Sequence, residues 1–232
     1  MIKRTFKHLA LFLIYSIIGI LFSGFLIIKL VPENNKSVSF DTVKVFTTVD
    51  KNLILLQSEN GYGSGSQIIV GSKKYIITNK HVCETSKNGV MLAKRNIPFK
   101  AEYIADFKTG IAIKIIATSP IYDICILEPI PGLPGLNLAD SYNSGQVVFT
   151  DGFPSGYQTK NYGAAVGNFY AKGFTKSFVL LDFIILPGAS CSPVVNSDGK
   201  VIGLIVARTV DGYNRALMVP LNNLKDFLSD KG

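Results

Sequence analysis

Pro187-Gly188-Ala189-Ser190-Cys191-Ser192-Pro193 lies between an apolar run, residues 178–186, and the pair Val194-Val195. The run reads as a buried strand. Val194-Val195 and residues 200–206, joined through Asn196-Ser197-Asp198-Gly199, read as a hairpin. Two prolines, a glycine and two serines make the seven-residue insert a tight bend. Such a bend can hold a serine hydroxyl outward while nearby backbone N–H groups face one point. Acyl transfer needs that geometry, a nucleophilic oxygen beside donors aimed at the oxyanion. Taken alone, the same composition also describes an ordinary surface turn.

Two upstream stretches give it company: Thr78-Asn79-Lys80-His81-Val82 and Tyr122-Asp123-Ile124-Cys125-Ile126-Leu127. A histidine is the natural general base near neutral pH. The chain has two, and His8 abuts an apolar N-terminal run, which leaves His81 for this site. An acid opening a buried strand, as Asp123 does, can orient a histidine ring and stabilise the imidazolium. Asp106 is the competing acid; it lacks the apolar continuation that follows Asp123. On chemistry alone either Ser190 or Ser192 could be the nucleophile.

Together these stretches resemble the trypsin-like (chymotrypsin-fold) serine peptidases, most closely the bacterial HtrA/Deg-like branch. Gly63-Ser64-Gly65, residues 198–203 and Leu217-Met218-Val219-Pro220 extend the resemblance over about residues 43–228. It implies an all-β fold of two six-stranded antiparallel barrels with the site in the cleft between them. It implies His81 as base, Asp123 as its orienting acid and Ser190 as nucleophile, in that chain order, with Gly188 and Ser190 supplying the oxyanion amides. Ile184 falls at the pocket floor, Val206 and Ala216 at its walls and Arg208 at the rim. With no acid at the floor, small or aliphatic residues are expected before the cut, and Arg or Lys disfavoured. The chain stops soon after the family's last strand and helix, so no PDZ domain is expected.

One departure bears on activity. Cys191 stands where the family has glycine directly after the nucleophile, a place where a side chain crowds or strains the backbone. A pseudoprotease, the fold retained as a binding module, is therefore the alternative. Cys83, Cys125 and Cys191 each lie one or two residues from a proposed triad member. They read first as buried small hydrophobes, with a Cys83–Cys125 bridge left open. No ligand cluster suggests a metal, and no cofactor is expected.

Composition sets the remaining bounds. Residues 9–28 form a twenty-residue run without a charge, long enough to cross a bilayer as a helix. Lys3, Arg4 and Lys7 precede it and Lys29 follows, so the positive-inside rule puts residues 1–8 in the cytoplasm. The expected layout is a signal anchor at 9–30, a tether at 31–42 and one protease domain at 43–232 outside the cytoplasm. Its first barrel spans about 43–128 and its second about 136–220. Ser16, Gly19 and Ser23 could line a self-association face of the anchor. The net charge of +8 includes those four flanking cations; the remaining twenty Lys and Arg against sixteen acids describe a solvated surface. Nucleic-acid binding is not expected; a protein or peptide substrate is. Residues 42–57 alternate well enough to suggest a strand and its return.

Overall fold

A computed structural model describes residues 40–94, 110–170 and 177–229. The chain from Asp41 onward forms one compact unit. It opens with helix α1 (Thr42–Asp50), followed by β1 (Leu53–Gln57). The expected strand and return over 42–57 is thus a helix and a strand. Thr42, Val43, Val45, Thr47, Thr48 and Val49 are β-branched, which biases such a segment toward strand. Capping and packing override that bias. Asp41 accepts from the Lys44 amide at 2.9 Å and caps the helix. Val45 and Val49, four apart, are both buried, and Phe46 meets Phe149 edge-on.

Strands β2 (Tyr62–Val70), β3 (Lys73–Thr78), β4 (Val90–Lys94), β5 (Ile111–Thr118) and β6 (Cys125–Leu127) complete the first barrel, with helix α2 (Lys80–Cys83) after β3. Their order β1-β4-β5-β6-β3-β2 closes through β2 pairing back onto β1, every contact antiparallel. Ile54, Leu56, Ile76, Met91 and Leu127 fill its interior. The β2–β3 hairpin turns at Gly71, whose φ of 60° suits a residue without a Cβ.

The linker from Pro129 belongs to this barrel. Ile130 and Leu133 are buried in its core, and buried Gln67 is satisfied at both ends: its Nε2 donates to Leu133 O and its Oε1 accepts from Ile130 N. Strand β7 (Leu136–Asn137) then lies parallel on β2, and Leu138 bridges to Val201 of the second barrel. The chain therefore passes between barrels at 137–138.

The second barrel comprises β8 (Val147–Gly152), β9 (Thr159–Phe169), β10 (Phe178–Ile184), β11 (Pro193–Val195), β12 (Val201–Arg208) and β13 (Arg215–Pro220). It closes in the order β10-β13-β12-β11-β8-β9 around Val148, Leu181, Val194, Ile202 and Met218. Helix α3 (Leu221–Ser229) follows, with Leu221, Leu224 and Leu228 buried at helical spacing. The fold is all-β with two closed six-stranded antiparallel barrels. The apolar run 9–28 lies outside the described residues; among those described, no helix is long and apolar enough to cross a membrane.

Candidate active site

His81 sits in α2, a single helical turn started by Asn79 in extended conformation. Asp123 lies just ahead of β6, whose pairing places Cys125 opposite Thr78. The register brings the two side chains together. Asp123 Oδ1 accepts from the His81 backbone amide at 2.9 Å, and Asp123 Oδ2 lies 2.6 Å from His81 Nδ1. Asn79 Nδ2 donates to the Asp123 carbonyl at 2.9 Å, tying the acid to the residue that starts α2. The second contact fixes the ring through Nδ1 and leaves Nε2 for proton transfer, the arrangement a general base requires.

The loop 187–192, in the connection from β10 to β11, meets the first barrel at Ser64. The Ser64 amide donates to the Ser190 carbonyl at 3.0 Å, and Ser64 O accepts from Thr78 Oγ1 at 2.9 Å. Thr78 in turn contacts the buried Cys191 thiol. Burial raises that thiol far above the ordinary range; Thr78 partly offsets this, and the nearby Asp123 charge adds to it. Through Ser64 the serine loop is tied to Thr78, which pairs with Cys125 two residues past Asp123, and this sets the loop near the histidine–aspartate pair.

Within the loop three amides are committed. Ala189 N donates to Leu186 O, Cys191 N to Ile205 O at 2.7 Å and Ser192 N to Ala189 O. The amides of Gly188 and Ser190 donate to no acceptor among the described residues. Gly188 has a φ of 92° and Cys191 a φ of 66°, so the bend keeps a left-handed residue on each side of Ser190. Ser190 is half-buried and its hydroxyl has no hydrogen bond among the described residues, His81 included. Catalytic hydrogen bonds are often loose before substrate binds. Ser192, by contrast, is 2% exposed and points between the barrels: its Oγ is 3.5 Å from Ser64 Oγ, and a Cβ on Gly152 would collide with it.

The residues expected to form the specificity pocket separate. Ile184, 61% exposed, lines a cavity of about 100 Å³ with Leu186, Ala189 and Ser192. Val206 and Arg208 line a second cavity of about 780 Å³, which reaches Asp123 and takes walls from Ile121, Tyr122, Tyr170 and Phe178. Ala216 is fully buried in the second barrel's core. The larger cavity was not visible in the sequence, because its walls come from both barrels. No group of metal-ligating side chains occurs among the described residues.

A further finding is the disulfide between Cys83 and Cys125, the pairing the sequence left open. Cys191 is the free cysteine and is buried.

A family model described as trypsin-like peptidase domain matches residues 63–204. A probable periplasmic serine endoprotease DegP-like of Halomonas elongata is 32% identical over 153 residues, which cover 63% of this chain and 30% of that protein. One of the same description from a Marinomonas species is 29% identical over 146 residues, covering 60% of this chain and 29% of the relative. The chain thus spans about a third of the length of these curated relatives. Among solved structures, the HtrA-type protease AlgW with tripeptide aligns with a TM-score of 0.65 at 18% identity, covering 81% of this chain and 62% of the other. The active form of the Rv3671c protease from M. tuberculosis aligns at 0.65 and 18% identity, covering 82% and 87%.

Proposed function

The chain belongs to the trypsin-like peptidase family, and from that premise we propose that it is a membrane-anchored serine endopeptidase. Ser190 Oγ attacks the scissile carbonyl while His81 Nε2 takes its proton. Asp123 holds the ring and stabilises the imidazolium, and the Gly188 and Ser190 amides receive the oxyanion. Collapse breaks the C–N bond, the leaving amine takes the proton from His81, and water repeats the sequence on the acyl-enzyme. The observation that carries this reading is the doubly bonded His81–Asp123 pair beside a loop whose two idle amides flank Ser190's attachment.

Residues 9–28 anchor the domain outside the cytoplasm, in keeping with the periplasmic description of the DegP-like relatives. A C-terminal reporter that works only in the cytoplasm should stay silent; activity there would refute the topology. Ile184, apolar and exposed, favours aliphatic residues before the cut.

The alternative, a pseudoprotease, rests on Cys191 occupying a left-handed backbone position. The two readings separate on one assay. The detergent-solubilised full chain should cleave an unfolded protein substrate, and Ser190→Ala should not. A folded wild type that is inert, together with an active Cys191→Gly, would establish the pseudoprotease instead.

A further inference from the structure

We propose that the Cys83–Cys125 disulfide is a positioning device for the His81–Asp123 pair, so that serine chemistry runs at full rate only while the bond is closed. The consequence for rate rests on the function proposed above; the geometry does not. Cys83 ends α2 two residues after His81, and Cys125 opens β6 two residues after Asp123. The covalent link and the hydrogen-bonded pair therefore join the same two segments at the same separation of 42 residues.

The pair needs such support. Its side chains are 47% and 26% exposed, so packing alone does not lock the ring. Helix α2 is one turn long, and Asn79 makes no side-chain cap to it. Beyond the β3–β6 pairing, the backbone-anchored links are the hydrogen bonds from Asn79 and His81 to Asp123, the first part-buried and the second exposed. The two sulfurs lie beneath, at residues 2% and 0% exposed. Reduction by a dithiol passes two electrons and two protons to Cys83 and Cys125, and the dithiol leaves as its cyclic disulfide. Unbonded sulfurs then need van der Waals separation, which pushes α2 away from β6 at the pair. A displacement of about 1 Å in a catalytic constellation can cost about 10²-fold in rate. The third thiol does not compete, since burial keeps Cys191 protonated and only a thiolate attacks a disulfide.

The test compares the full chain in mild detergent, oxidised, dithiol-reduced and as Cys83→Ala/Cys125→Ala. Two readouts are taken: fluorophosphonate labelling rate, and the downfield proton resonance of His81 Nδ1, His8 being the only other histidine. Labelling should fall between about 10- and 100-fold on reduction and in the double variant. The resonance should broaden or vanish, far-UV circular dichroism should hold, and reoxidation should restore both signals. An unchanged rate and resonance would overturn the proposal. So would unfolding on reduction, since the bond would then hold the barrel rather than the pair. If oxidised wild type does not label, the peptidase reading fails, and the resonance alone judges the clamp: its survival in the double variant overturns it.

Discussion

Cys191 shows how one residue can break a local rule and keep the geometry. Its φ of 66° costs a non-glycine residue about 1–2 kcal/mol. Against that, the side chain is fully buried and contacts Thr78, so its removal forfeits burial of about the same size and frees the unfolded backbone. The terms nearly cancel, and Cys191→Gly should shift unfolding stability by no more than about 1 kcal/mol. Because the bend already holds its left-handed form, labelling by a fluorophosphonate should change by less than about ten-fold. A much larger rise would mean the native loop is closed. The roles of His81, Asp123 and Ser190 could be proposed from sequence because each lies in a short motif that resembles those of the trypsin-like peptidases; chemistry alone left Ser190 and Ser192 open. The burial of Ser192 could not, since Ser64 and Gly152, which enclose it, lie far away along the chain.

Helix α1 forms where its β-branched composition says strand, because the cap at Asp41 and the partner Phe149 act only in three dimensions. Where α1 ends, it joins a charged cluster. Asp50 and Asp151 both contact Lys160 Nζ, at 3.2 and 2.8 Å, and Gln158 bridges the two acids. Asp151 is buried on β8, and one of its oxygens has no partner among the described residues. Burial pushes its carboxyl up to about 6, with Asp50 adding to this and Lys160 and Gln158 working against it. A carboxyl raised on folding binds its proton more tightly in the folded state. Its contribution to stability is full below about pH 4 and is lost as pH rises through about 6. Wild-type stability relative to Asp151→Asn should therefore fall between about pH 4 and pH 7. Urea denaturation at several pH values measures this, and a pH-independent difference would contradict the assignment.

At the scale of the molecule, the resemblance to trypsin-like peptidases implied two barrels, but not how they meet. Part of that contact runs through Ser64, which donates to the Ser190 carbonyl through its amide and accepts from Phe153 N through its hydroxyl at 2.9 Å. The expected pocket divided because Val206 and Arg208 face the gap between barrels while Ala216 turns inward. Exposed Ile184 beside the loop predicts that peptides with Val, Ala or Leu before the cut outrun Arg or Lys by about ten-fold or more. A peptide-library profile dominated by basic residues would place the pocket elsewhere.

The central claim is that Ser190, and no other serine, is activated by the His81–Asp123 pair. General-base assistance and oxyanion donors each contribute about 10²-fold or more, enough for a fluorophosphonate to select one hydroxyl. Mass mapping of the labelled wild-type chain should find a single adduct on Ser190, lost in His81→Ala and retained in Ser192→Ala. An adduct on Ser192, or labelling that survives His81→Ala, would contradict the account.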